Sequence, residues 1–243
     1  MGTSQIPENV HAAIKQCWPD GVVHELATDE SYFHEIHPRL ERDLRKIRGA
    51  SLRWQSEDAE GGAGWNEDEN EELPSIDDWQ SYYVFFLAPH GKEFHFACET
   101  TGVGAAPDAE EETSTETTYP GEGWIGCAAG VCLAAPYAVI NLCSYSRYED
   151  GTTSTPDVES FIYCDKTQDR IDTDQYHQEL LSRAAFQKLE GLRRALASIL
   201  AKHGIQVLDR AVLNLRVTGL KASEEVFLEE PLRVQDAFFF RGV

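Results

Sequence analysis

The most regular alternation of apolar and polar positions runs from Asp172 to Leu208. Apolar side chains recur there every three or four residues, which places them on one face of a helix. These positions are Leu181, Ala185, Leu189, Leu192, Leu196 and Ile199. Asp172 can cap the first free N–H groups, and Gly204 tolerates the left-handed conformation that ends many helices. The pattern predicts one long amphipathic helix, followed directly by a buried strand that begins at Ile205.

Two further helical patterns occupy the N-terminal part of the chain. Pro7–Trp18 predicts a short helix, and Asp29–Arg48 predicts a second one with its own apolar stripe. Pro38 interrupts the second stripe, because proline lacks an N–H and crowds the preceding turn. We therefore expect a kink in this region, or two helices that meet at His37.

Patterns typical of strands fill most of the remaining sequence. Ala50–Ser56 alternates, with Leu52 and Trp54 on one face and Arg53 on the other. The other predicted strands are Trp79–Ala88, Lys92–Thr101, Tyr137–Tyr145 and Val158–Cys164, and Gln206–Val217 is predicted to be a strand pair or one long bent strand. Pro89-His90-Gly91 resembles a turn, so the two strands around it are predicted to form a hairpin.

Together these elements predict a single α+β domain over residues 1–243. Its sheet should be mostly antiparallel but mixed, with about seven or eight strands. The N-terminal helices and the one long helix of the C-terminal half are expected to pack on one side of this sheet. The consecutive rings Phe238–Phe240 are expected to be buried, since exposed rings at a chain end would promote association.

The charge of the chain is concentrated in two segments. The net charge is −21, yet residues 57–78 hold ten acidic residues and residues 103–123 hold six, with no Lys or Arg in either segment. Runs of this composition are typical of solvated loops, so both are predicted to be acidic loop insertions. Because phosphate backbones repel such charge, nucleic acid is excluded as a direct partner.

The acidic segments motivate the leading functional hypothesis. Trp65 lies among acids, an arrangement that can combine an aromatic anchor with electrostatic steering. The residues predicted to bind a partner are Trp65, Glu67, Asp68, Glu69, Glu71, Glu72, Asp77 and Asp78. The hypothesis is a non-catalytic protein that binds a basic protein, in its concrete form an immunity or inhibitor protein that neutralises a basic toxin or nuclease. Two alternatives remain open: acidic segments that only solubilise the chain, and a structural subunit of a larger assembly.

Two enzymatic alternatives are also open. Cys127 follows Gly126 and would be activated if it stood at a helix N-terminus, with His177 or His203 as its base. Against this, Cys127 is surrounded in sequence by Ala, Val and Leu, which is typical of an inert core thiol. Alternatively, His34, His37 and Glu41 recur at helical spacing and could hold a divalent metal. The sequence contains no phosphate-binding glycine loop and no hydrolase or metalloprotease motif.

Cysteine usage and hydropathy bear on the compartment. The six cysteines lie mostly among apolar neighbours, which favours reduced thiols and a cytoplasmic protein. We recognise neither a secretory signal nor a membrane-spanning segment, and the sequence requires no cofactor. We therefore expect a cytoplasmic protein without a membrane partner, and the pattern leaves the oligomeric state open.

Overall fold

A computed structural model describes residues 5–24, 32–56, 81–105, 114–154 and 181–240 except 225, 227 and 229. The predicted strand Val158–Cys164 lies outside the described residues. So do all eight residues predicted to bind a partner. The residues that flank the first acidic segment, Ser56 and Ser81, are described, and so are both ends of the second segment, residues 103–105 and 114–123.

The described residues form nine strands and five helices. The strands are β1 (Val22–Val23), β2 (Ala50–Gln55), β3 (Tyr82–Pro89), β4 (His95–Ala105), β5 (Ser114–Cys132), β6 (Tyr137–Tyr148), β7 (Thr153–Ser154), β8 (Gln206–Val207) and β9 (Lys221–Ala222). The helices are α1 (Glu8–Cys17), α2 (Tyr32–Leu44), α3 (Arg183–Lys202), α4 (Arg210–Leu213) and α5 (Val234–Phe238). Strands β2 to β8 make one mostly antiparallel sheet, and β1 pairs with β9 separately in parallel. The predicted α+β class and the mostly antiparallel sheet are confirmed.

The long strand β5 is the centre of this sheet. Its first part, Ser114–Trp124, pairs with β4, and its last part, Cys127–Cys132, pairs with β3. The predicted hairpin between these two strands is therefore wrong, because both lie end to end against the same edge of β5. Gly91, at φ +146°, and the 3-10 turn Lys92–Phe94 carry the chain onward in the same direction instead of reversing it.

The predicted loop over residues 103–123 is also wrong where the structure describes it. Residues 103–105 pair with residues 114–116, and the ladder continues without interruption to Trp124. The segment is acidic, but it is also rich in threonine, whose branched Cβ favours extended backbone. Backbone pairing does not depend on side-chain charge, so acidity alone does not indicate a loop here. Residues 106–113 lie outside the described part.

Both faces of the sheet are covered, which corrects the expectation that the helices pack on one side. On the α2–α3 face, Leu40 of α2 and Leu189 and Leu196 of α3 are fully buried with Phe85 of β3. On the α1–α5 face, the buried residues are Val10, Ile14, Trp18, Phe86, Tyr145, Phe238, Phe239 and Phe240, among others. Strands β3, β5 and β6 carry apolar side chains on both faces, so each face requires a cover. The predicted burial of Phe238–Phe240 is confirmed.

Helix α3 keeps the predicted stripe but begins later than Asp172. Ser182 caps it, since Ser182 Oγ accepts a hydrogen bond from the Ala185 N–H at 3.2 Å. The helix ends as predicted, with Gly204 at φ +79° just beyond it. Neither α3 nor any other helix in the described residues is long and apolar enough to cross a membrane.

Two further element predictions are corrected. Of the predicted strand Gln206–Val217, Gln206–Val207 pairs in parallel with β6, and Arg216 forms an isolated antiparallel bridge with Arg233. Asp209 then accepts a hydrogen bond from the Val212 N–H at 2.8 Å and starts helix α4. Helix α2 continues through Pro38, so it is not two helices meeting at His37. Burial of Leu40 and Leu44 beyond the proline holds both halves of α2 against the sheet.

An ion-pair cluster joins α2 to α3. The Asp43 carboxylate accepts hydrogen bonds from Lys202 Nζ at 2.7 Å and Lys46 Nζ at 3.2 Å. His203 Nε2 lies 3.2 Å from the same carboxylate. Chiefly through Lys202, and then Lys46, this arrangement holds the pKa of Asp43 well below its usual range.

Replacing Asp43 by Asn should lower the stability of the fold at neutral pH and flatten its acid dependence. Because the folded-state pKa of Asp43 is lowered, its stabilisation is present above the unfolded value of about 3.9 and is lost as the pH falls towards the folded value. Urea unfolding midpoints between pH 7 and pH 2 would measure this. Identical acid dependence in the wild type and in Asp43→Asn would show that the cluster contributes nothing to stability.

Candidate functional site

The acidic segment 57–78 is attached at both ends to the rigid part of the sheet. At its start, Gln55 pairs with Phe85, and Ser56 Oγ accepts a hydrogen bond from the Val84 N–H at 2.9 Å. At its end, the buried Ser81 hydroxyl lies 3.0 Å from the backbone oxygens of Phe238 and Phe240. The Phe240 N–H also donates to Ser81 Oγ at 2.7 Å. The segment is therefore held between two neighbouring strands.

The second acidic segment joins the fold far from the first. Gln55 pairs with Phe85 of β3, and Phe85 pairs with Ala129 of β5, so Gln55 lies at the level of Ala129 in the sheet. The strand ends that flank residues 106–113 are Ala105 and Ser114, fifteen positions away along β5. At about 3.3 Å per residue, that separation is about 50 Å along the strand. The two segments leave the fold at opposite ends of β5.

Cys127 does not stand at a helix N-terminus, so that premise of the thiol hypothesis is wrong. It lies within β5, is fully buried on the α2–α3 face and donates from Sγ to the Leu189 carbonyl at 3.8 Å. A thiol in apolar surroundings without solvent access is chemically inert. Of the two proposed bases, His177 lies outside the described residues, and His203 Nε2 lies 3.2 Å from the Asp43 carboxylate.

The metal hypothesis requires His34, His37 and Glu41 to bind one ion, but in the structure these three side chains have different neighbours. His37 stacks on Phe85, with ring centroids 5.6 Å apart, and Glu41 pairs with Arg45 at 2.7 Å. His34 is exposed. Over the ranges that the structure describes, no group of three or more His, Cys, Asp or Glu side chains could hold a metal. These residues form a packed and ion-paired helix surface.

The five described cysteines are free thiols. Burial raises the pKa of Cys17 to about 11 and that of Cys132 to about 12. Both thiols are therefore protonated at neutral pH, which makes them poor nucleophiles. Cys164 lies outside the described residues.

A polar cleft opens where β3 ends and β4 begins. It has a volume of about 340 Å³ and lies between Arg53, His95, Glu122 and Trp124, with residues 89–91 closing one side. We call it the Arg53 cleft. Strands β2, β4 and β5 each contribute a side chain to it, so the cleft depends on the end-to-end arrangement of β3 and β4.

A row of rings forms the wall of the Arg53 cleft. His95, Trp124 and Tyr145 are register partners on β4, β5 and β6. Trp124 is stacked on Tyr145, with centroids 5.7 Å apart and planes 19° apart, and His95 is tilted towards it at 5.5 Å. Tyr145 is buried and also contacts Phe86 at 5.6 Å. The wall is therefore anchored in the core of the α1–α5 face.

Charged and hydrogen-bonding groups line the rest of the cleft. The Arg53 guanidinium carbon lies 5.1 Å from the centre of the Trp124 ring, within cation–π distance. His90 Nε2 lies 2.8 Å from Ser51 Oγ. Glu122 Oε1 lies 3.8 Å from His95 Nε2. The cleft thus combines one guanidinium and two imidazoles with one carboxylate.

Sequence patterns gave little indication of this cleft. Alternation placed Leu52 and Trp54 on one face, but the register shifts between them, and they pack on opposite faces of the sheet. A bulge changes the direction of the side chains that follow it, so simple alternation fails at Arg53. His90 and His95 are isolated in the sequence, and only strand pairing brings them to Arg53 and Trp124.

Comparisons with known proteins leave the chain without relatives to argue from. No protein-family model, no curated protein and no solved structure matches it. Its function must therefore be inferred from its own residues and their arrangement.

Proposed function

We propose that this chain is a cytoplasmic, non-catalytic binding protein that recognises a basic protein through the acidic segment 57–78. Its concrete form is an immunity or inhibitor protein that neutralises a basic toxin or nuclease. The observation that carries this proposal is the charge of the segment, which has ten acidic residues and neither Lys nor Arg. A field of one sign steers an oppositely charged partner towards its site.

The attachment of the segment supports the proposal. Gln55 on β2 and Ser81 next to β3 flank the segment, and both are held in place by hydrogen bonds of the folded part. Fixing both ends of a segment reduces the conformational freedom it loses when it binds. Trp65 would then supply the buried anchor that steering alone does not provide.

The basic residues of the described fold add further support. Several of them form ion pairs with carboxylates of the folded part. These basic residues therefore do not neutralise the negative charge of the acidic segment. The pairs are Arg45–Glu41, Lys46–Asp43, Lys188–Glu93, Arg193–Glu190 and Lys202–Asp43. The chain as a whole keeps a net charge of −21.

Neutralising the segment should slow association with the partner more than it speeds dissociation. The test variant replaces five acids with Gln or Asn: Glu67, Asp68, Glu69, Glu71 and Glu72. Steered association commonly exceeds unsteered association by about tenfold or more, and salt screens it beyond a Debye length of about 8 Å at physiological ionic strength. The measurement is binding kinetics at two salt concentrations, with the partner recovered from the native host.

A matched control separates local steering from net charge. It replaces five exposed acids of the folded part with Gln: Glu35, Glu99, Glu149, Glu224 and Glu230. Both variants gain the same charge, but only the segment variant should lose most of the salt dependence of association. Trp65→Ala should instead raise the dissociation rate. Equal association rates in the two charge variants would leave segment 57–78 as a solubilising element.

A further inference from the structure

We propose that the Arg53 cleft is a ligand site for a small molecule in which an oxyanion, a carboxylate or a phosphate, is attached to a planar ring. The site is separate from the acidic segment, and the inference does not rest on the proposed function. It rests on the cation, the ring wall and the size of the cleft. Each of these selects one property of the ligand.

The first property is the negative charge. Among the residues that the structure describes, no carboxylate forms an ion pair with Arg53, in contrast to Arg45 and Arg193. The Arg53 guanidinium lies over Trp124 and keeps its N–H donors directed along the plane of the group. A planar fork of donors matches the two oxygens of a carboxylate or phosphate. Such an oxyanion would meet the guanidinium in a cleft where Glu122 is the one carboxylate among the described lining residues.

The two histidines extend the donor set. Ser51 Oγ and His90 Nε2 are in hydrogen-bond contact, so one nitrogen of this ring is already engaged. When the Ser51 hydroxyl donates to Nε2, the proton of the neutral ring is on Nδ1, which is then a donor. His95 adds a second imidazole on the Trp124 side of the cleft. Arg53 and both rings line the same cleft, so an oxyanion bound there would have all three groups as neighbours.

The second property is the planar ring. Tyr145, His95 and the Arg53 guanidinium hold Trp124 in place, and a flat group would pack on the part of this ring that stays exposed, beside the guanidinium. The volume of about 340 Å³ is at the small end of the range for ligand sites. It accommodates one ring system with its oxyanion, and it is too small for a folded partner.

Glu122 sets a limit on the charge of the ligand. Its carboxylate lies 3.8 Å from His95 Nε2 and adds the one negative group of the lining. It repels an incoming anion, so it weakens binding and disfavours ligands with several negative charges. Removing this charge should therefore change affinity in the opposite direction to removing the charge of Arg53.

Calorimetric titration of the full chain with phenyl phosphate, phenylacetate and inorganic phosphate tests the proposal. We expect Arg53→Gln to weaken binding of the better aromatic probe by at least about tenfold, because a charge-assisted hydrogen bond is lost. Glu122→Gln should tighten it. Arg194→Gln is the matched control, since this exposed arginine lies on α3 at the opposite face. Thermal unfolding of each variant verifies that it folds.

The three probes separate the two parts of the ligand. A preference for phenyl phosphate or for phenylacetate identifies the oxyanion, and either preference supports the site. Inorganic phosphate should bind more weakly than phenyl phosphate, because it lacks the ring that packs on Trp124. The proposal would be overturned if neither aromatic probe binds detectably. It would also be overturned if both probes bind Arg53→Gln and the wild type with equal affinity. Equal affinity for inorganic and phenyl phosphate would overturn its aromatic part.

Discussion

Replacing Leu189 by Asp is expected to prevent folding. Leu189 is fully buried between α3 and the sheet, and its carbonyl oxygen accepts a hydrogen bond from the Cys127 thiol. The substitution forfeits about 1.5–3 kcal/mol of apolar burial. A buried carboxylate without a partner adds several kcal/mol of desolvation. Since a domain is stable by only about 5–15 kcal/mol, the sum removes most or all of the stability.

The matched control for this prediction is Gln187→Asp. Gln187 is exposed on the same helix, two positions away, so the new charge remains in water. Its thermal unfolding should stay close to that of the wild type, whereas Leu189→Asp should show no cooperative transition by circular dichroism. A Leu189→Asp variant that unfolds at the wild-type temperature would mean that α3 does not pack on the sheet.

The second large effect is expected from a single added methyl group at Gly126. A Cβ at this position would lie 2.1 Å from the Leu87 carbonyl oxygen and 2.8 Å from Phe86 Cζ. The first of these atoms belongs to the backbone of β3, so the strands themselves must separate where their pairing ends at Cys127. We expect Gly126→Ala to destabilise the fold by about 3 kcal/mol or more, because overpacking a tight core forces the backbone to move. Chemical denaturation measures this loss.

The same substitution at Gly191 should have the opposite sign. Gly191 lies within helix α3, and a Cβ there meets no atom within 4 Å. Alanine favours a helix over glycine by about 1 kcal/mol, so Gly191→Ala should stabilise the protein. If Gly126→Ala and Gly191→Ala change stability in the same direction, the close approach of β3 and β5 is not the cause of the stability change at Gly126.

The helix stripe on α3 shows what a local pattern can predict. Leu189, Leu192 and Leu196 recur at helical spacing, and all three are buried. Periodicity reports which face of an element is apolar, and that face must be covered in any fold. The start of α3 was harder to place, because Asp172 and Ser182 both offer capping oxygens and the pattern does not decide between them.

Strand pairing shows where local patterns fail. The turn residues around His90 predicted a hairpin, yet β3 and β4 both pair with β5. A turn signal reports only that the chain changes direction locally, whereas the partner of a strand depends on residues far away in sequence. The same limit hid the Arg53 cleft, because Arg53, His95 and Trp124 meet only once β2 has paired with β3 and both β3 and β4 have paired with the same edge of β5.

The unequal sequence separations of the pairs around β5 imply an order of assembly. Val131 and Ala138 pair across seven positions, so the β5–β6 ribbon closes the smallest loop. Tyr82 reaches Cys132 across fifty positions, and the Trp18 indole reaches the Ala237 carbonyl across 219. Loop-closure entropy rises with each separation, and contacts distant in sequence slow folding. The β5–β6 ribbon is thus the natural nucleus, and the α1–α5 face, which joins residues from opposite ends of the described chain, is completed last.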